Sequence, residues 1–110
     1  MEFTIEGNKY QVRDSKELMN VAKVIGHHFF DGSAMKGFGS KLETRIFETP
    51  EGVYFVTSEK FGHGEPRRWT IRLFNLEGSI RTVDEFQKFN NRNQAYRYVE
   101  KNLLKKGNTK

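Results

Sequence analysis

The sequence predicts an α+β domain in which an antiparallel sheet, an N-terminal hairpin plus a four-strand meander, packs against two helices in the order ββαββββα. Three observations carry this. The chain opens with two short alternating segments around a Gly-Asn turn signal. Two later segments pair a capping sequence with apolar residues at helical spacing. Between residues 42 and 83, alternating runs are separated by short Gly- and Pro-containing connections.

In FTIEGNKYQVR, residues 3 to 13, Phe3 and Ile5 alternate with polar neighbours, the chain turns at Gly7-Asn8, and it returns through Tyr10 and Val12, a hairpin pattern. Asp14 followed by Glu17 reads as a capping box, and Leu18, Val21, Ala22 and Ile25 then recur at helical spacing. The first helix is therefore expected over about Ser15 to Ile25, with Gly26 free to adopt positive φ at its end. HHFFDGSAMKGFGSK, residues 27 to 41, has no clean period and three glycines, so it reads as a loop with room for one helical turn.

The meander follows. LETRIFE alternates and stops at Pro50, Glu51-Gly52 turns into VYFVTSEKF, GHGEP connects to RRWTIRLF, and NLEG turns into SIRTV. Short connections favour pairing between sequential strands. Last, Asn91 and Gln94 form a second capping pair, with Ala95, Val99 and Leu103 as the buried stripe of a helix ending near Gly107, and residues 106 to 110 as a frayed basic tail. Residues 1 to 110 read as one domain.

Composition narrows the classes. Ten Phe, four Tyr and one Trp supply a core without staples. Cysteine is absent, which excludes a disulfide framework, thiolate metal ligation and a cysteine nucleophile. No apolar run approaches the roughly 20 residues that cross a bilayer, and the acidic start is unlike a signal peptide, so the expectation is a cytoplasmic protein without membrane contact.

The net charge of +5 divides unevenly: residues 1 to 66 carry −2, residues 67 to 91 carry +2, and residues 92 to 110 carry the remaining +5. Such a segment attracts polyanions through its field, although a charge run is also what a solvated helix face shows.

Within the meander, strand period places Trp69, Ile71 and Leu73 on one side and Arg68, Thr70, Arg72 and Phe74 on the other. The first set is expected in the core. The strand before it carries apolar residues on both faces and reads as central. Two helices on one sheet face would leave the Arg68 and Arg72 face open, with Arg45 and Arg81 aligned on neighbouring strands if the register allows.

Arg45, Arg68 and Arg72 among Thr57 and Ser58, with Ser40 and Lys41 ending the Gly-rich loop, are then the candidate anion-binding set. The guanidinium fork grips phosphate oxygens and stacks on bases. A plain half-solvated sheet face fits the same pattern.

Three histidines raise catalysis. His27 and His28 are adjacent and so point apart, a poor metal clamp, and no metal or cofactor is expected. Glu59 as base, His63 as acid and an arginine as phosphate stabiliser would suit a metal-independent ribonuclease, with a surface glutamate and a solvated histidine as the plain alternative.

His28-Phe29-Phe30, Phe38-Gly39-Ser40-Lys41, Tyr54 to Glu59, Arg67 to Arg72 and Phe86 to Phe89 together resemble the pattern of a family of small uncharacterised proteins encoded by bacteriophages and plasmids. The resemblance covers about residues 27 to 99, with Lys41 where an arginine is usual and Trp69 where a tyrosine is usual. It implies a mobile-element setting in a bacterial host cytoplasm and nothing catalytic.

The leading expectation is a small accessory protein that binds an anionic partner, nucleic acid or a nucleotide-type ligand, in host takeover or counter-defence. The alternatives are an inhibitor of a host enzyme acting through His28, Phe29, Phe30 and Phe38, and the ribonuclease.

Overall fold

A computed structural model of the chain describes residues 1–27, 41–60 and 64–104. The elements follow the expected order: β1 (Glu2–Ile5), β2 (Asn8–Gln11), α1 (Ser15–Val24), β3 (Lys41–Thr49), β4 (Gly52–Glu59), β5 (Arg68–Asn75), β6 (Ile80–Val83) and α2 (Arg92–Tyr98), which continues as a π-helical segment over Val99–Leu104. The hairpin forms a sheet of its own, and β3-β4-β5-β6 form the antiparallel meander.

Local chemistry accounts for the element ends. The hairpin turns at Glu6 and Gly7, φ 51° and 83°, one position before the expected Gly7-Asn8, because Asn8 pairs with Ile5 inside the ladder. Asp14 Oδ1 accepts the Glu17 N–H at 2.8 Å, and Glu17 returns the bond to the Arg13 N–H, also at 2.8 Å. The second helix repeats the device: Asn91 Oδ1 accepts from Gln94 N at 2.8 Å, and Gln94 Oε1 accepts from Asn90 N at 3.1 Å. Gly26 takes φ 100° just past α1, as its position suggests.

The two helices do not share a sheet face. Phe3 and Val12 of the hairpin segment and Leu18, Val21 and Ala22 of α1 pack on Val53, Phe55 and Phe74, and the Phe3 and Phe74 rings stack at 4.8 Å. Ala95 and Val99 of the last helix pack on Tyr54, Val56, Ile71 and Leu73. The cause lies in β4, which is buried along its whole length and apolar on both sides, so that each face needs its own cover. The expectation of two helices on one face, with the opposite face open, is corrected accordingly.

The last helix is also less regular than its stripe suggests, since the α-helical part ends at Tyr98. Its expected end near Gly107, the frayed tail and the loop from His28 to Ser40 lie outside the described residues.

Among the described glycines, Gly52 has the closest neighbours. Its φ is 140°, and a Cβ there would lie 2.2 Å from the Phe74 carbonyl oxygen across the β4–β5 ladder. Gly7 also has positive φ but faces open space. Gly52→Ala should therefore lower the unfolding free energy by about 3 kcal/mol, against about 1 kcal/mol for Gly7→Ala, as read by urea denaturation.

Candidate functional site

The arginine face of the sheet is a closed polar cluster. Alternation places Thr57 and Glu59 of β4 beside Thr70 and Arg72 of β5, beyond the apolar Val53, Phe55 and Phe74 that the hairpin and α1 cover. Glu59 is 1% exposed and Arg72 8%. Glu59 Oε2 accepts from Thr57 Oγ1 at 2.7 Å and from Arg72 Nη2 at 3.3 Å, while Oε1 accepts from Thr70 Oγ1 at 3.1 Å. Arg72 Nε donates to Thr57 Oγ1 at 2.9 Å, and Nη1 to Thr82 Oγ1 at 3.3 Å.

Burial pushes the Arg72 guanidinium below its ordinary pKa, and the neighbouring Glu59 carboxylate opposes that shift. Arg72 and Glu59 cancel, so that pair holds no spare charge for a ligand, and the half-buried Arg68 on the same face is held by backbone carbonyls.

The segment after β6 closes it. From Asp84 to Phe89 the chain runs along the edge of β5 that β6 leaves uncovered, and Trp69 and Phe89 exchange backbone hydrogen bonds of 2.9 and 3.0 Å. Thr70 Oγ1 accepts from the Gln87 N–H at 2.8 Å, and Gln87 Nε2 donates to the Glu59 carbonyl at 3.1 Å. Arg68 donates to the carbonyls of Gln87 and Lys88 at 2.9 and 3.2 Å. Asp84 and Gln87 hold φ of 66° and 58°, a left-handed conformation that these bonds stabilise. Arg72 also lies 5.7 Å from the Phe86 ring centre.

The sequence-predicted site residues thus separate. Arg68, Arg72, Thr57 and Glu59 do meet, as parts of a structural clasp rather than an open anion platform. Ser58 points to the opposite face, where its Oγ accepts from Arg67 Nη1 at 2.9 Å. Arg45 and Arg81 are on that opposite face too, because β3 pairs Ile46 with Phe55 and β6 pairs Arg81 with Leu73. Arg45 bridges Glu100 at 2.8 Å and lies over the Phe47 ring at 4.4 Å.

Lys41 is exposed at the start of β3, opposite Ser58. Trp69 packs against the second core as expected, with Nε1 donating to Glu43 Oε2 at 2.8 Å. Ser40, His28, Phe29, Phe30, Phe38 and His63 lie outside the described residues. Glu59, with both carboxylate oxygens engaged in a buried network, is placed as a structural anion and not as a base at a surface. Among the described residues no group of three or more His, Cys, Asp or Glu side chains could hold a metal ion.

The positive charge of the last helix was evident in the sequence, but the groove beside it was not. Gln94, Arg97, Tyr98, Lys101 and Asn102 line an open groove of about 330 Å³ against Phe89. Their spacing of i, i+3, i+4, i+7 and i+8 is one helix face, a signal present in the sequence but indistinguishable there from ordinary solvated polarity. Arg97 and Lys101 are exposed and have no acidic partner among the described residues. Lys88 stands 5.1 Å from the Tyr98 ring centre and 5.9 Å from that of Phe89, its ammonium hydrogen-bonded to Asp84.

Breaking the clasp from one side strands a buried charge. Glu59→Leu alone should destabilise by about 3–5 kcal/mol, whereas Glu59→Leu with Arg72→Met should cost clearly less than the two single changes summed, in a double-mutant cycle read by urea unfolding.

The exposed pairs titrate differently. The hydrogen bond from Lys88 holds Asp84 below its ordinary 3.8, and that from Arg13 holds Glu17 below 4.5. Both folded-state values are depressed, so this stabilisation is fully present above about pH 5 and is lost as pH falls through the lowered values. Asp84→Asn and Glu17→Gln should flatten the acid limb of a stability–pH profile.

Neither the curated proteins nor the solved structures contain a match to the chain. One family model does match, over residues 14–100, from the cap of α1 through the clasp and into the π-helical segment. The chain belongs to that family of unknown function, DUF7447.

Proposed function

We propose that the protein binds nucleic acid through the outward face of its last helix. The observation that carries this is the exposed pair Arg97 and Lys101, one helical turn apart and without an acidic partner among the described residues. Like charges at i, i+4 work against a helix by a few tenths of a kcal/mol, which offsets much of what two cations near the helix end gain from its dipole. They belong to the segment from residue 92 to 110 that holds a net +5.

A neutral clasp inside and a cationic helix outside place the available charge where a phosphate backbone can reach it. Lys88 adds a third cation nearby, partly neutralised by Asp84. The resemblance to phage- and plasmid-encoded small proteins supports a setting in the host cytoplasm, where such binding would serve host takeover or counter-defence. The arginine-bearing sheet face has no part in this reading, since Arg72 is matched by Glu59 and Arg68 is engaged with the Gln87 and Lys88 carbonyls.

Fluorescence anisotropy with labelled DNA and RNA oligonucleotides tests it. Binding should be clear at about 50 mM salt and weaken with a log–log slope of roughly −1.5 to −2.5, as expected for two or three phosphate contacts. Arg97→Gln with Lys101→Gln should lower affinity at least about tenfold without changing the melting temperature. No binding to any oligonucleotide at low salt, or equal binding to poly-glutamate, would overturn the proposal.

A further inference from the structure

We infer that the groove between Phe89 and the last helix receives one unstacked nucleobase, so that the protein selects single-stranded over duplex nucleic acid. The inference rests on the proposed nucleic-acid binding and adds what the groove would read.

The floor is aromatic. The Phe89 and Tyr98 ring centroids lie 5.4 Å apart with planes inclined at 57°, forming an apolar corner in which Phe89 is buried and Tyr98 half-buried. Lys88, hydrogen-bonded to Asp84, approaches the same two rings and is not among the residues that line the groove. The groove, of about 330 Å³, lies at the small end of ligand pockets and is widely open to solvent, so a flat ring can enter it from a flanking strand.

The rim is complementary to a base edge. Gln94 Oε1 already accepts from the Asn90 N–H, so its Nε2 remains as a donor. Asn102 Nδ2 already donates to the Tyr98 carbonyl at 3.3 Å, so its Oδ1 remains as an acceptor. This second bond belongs to the π-helical segment, a local widening of the kind that recurs at functional sites. One donor and one acceptor on either side of an aromatic floor match the paired donor and acceptor groups of nucleobase edges.

Arg97 and Lys101 stand on the same face, placed for the phosphates that flank such a base. A duplex keeps its base faces inside the stack and cannot offer one to this corner.

The test compares a labelled single strand with a duplex of the same sequence, using the full-length protein. The single strand should bind at least about tenfold tighter, and Tyr98→Leu should lower its affinity about tenfold, the scale of one lost base stack, while leaving the salt slope unchanged. Tyr98→Phe should retain affinity. Gln94→Ala with Asn102→Ala also removes the bonds to the Asn90 N–H and the Tyr98 carbonyl, so it is read by two affinities: single-strand binding should fall severalfold while duplex binding stays as in the parent, which decides the matter even if Tyr98→Leu fails to fold.

Equal affinity for duplex and single strand, or a Gln94→Ala, Asn102→Ala protein that binds as the parent does, overturns the base-binding groove while leaving electrostatic binding intact. Loss of all oligonucleotide binding in the parent protein overturns both.

Discussion

The Glu59–Arg72 pair is the constraint around which the rest of the molecule is arranged. An isolated charge at either position would be intolerable in a sheet face closed to water, and the two together are acceptable only with their remaining hydrogen-bonding sites filled. Thr57, Thr70 and Thr82 supply those partners from three adjacent strands, which locks the relative positions of β4, β5 and β6. Such a pair contributes little net stability against an apolar substitute, and its effect is to penalise any register that would separate its members.

From that pair the arrangement extends outward in sequence. Gln87 bonds both Thr70 and the backbone of Glu59, and Arg68 holds the Gln87 and Lys88 carbonyls, so the segment after β6 is drawn along the edge of β5. That course delivers Phe89 to its bridge with Trp69 and into the second core, against which Ala95 and Val99 seat the last helix. The groove, whose wall is Phe89 and whose other side is the helix, is therefore a downstream product of a buried ion pair on the opposite face of the sheet. Charge separates by the same route, with Glu59 and Arg72 matched in the interior and Arg97 and Lys101 left on the outside of the helix.

Much of the framework was legible. The Asp14–Glu17 and Asn91–Gln94 pairs marked both helix starts because capping is a local event among four residues. Strand period placed Arg68, Arg72 and Phe74 together, opposite Trp69, Ile71 and Leu73, as the register bears out. The hairpin turn fell one residue off, since the pairing of Ile5 with Asn8 forces the positive φ angles onto Glu6 and Gly7. Arg68 and Arg72 were correctly grouped by face, Arg45 and Arg81 fall on the other one, and Arg72 was wrongly opened to solvent.

Sequence by itself determined the element order, the caps and the side of each strand on which a residue falls, because those depend on neighbours within a few positions. It also placed the whole surplus of positive charge in the last segment. Only the tertiary structure decided what covers each face. That decision joins residues far apart in the chain: Thr57 with Arg72, Glu59 with Gln87, Arg45 with Glu100, Phe89 with Tyr98. Alternation assigns a side chain to a face and carries no information about whether water or another segment will lie against it, and for Arg72 that difference separates a ligand site from a structural clasp.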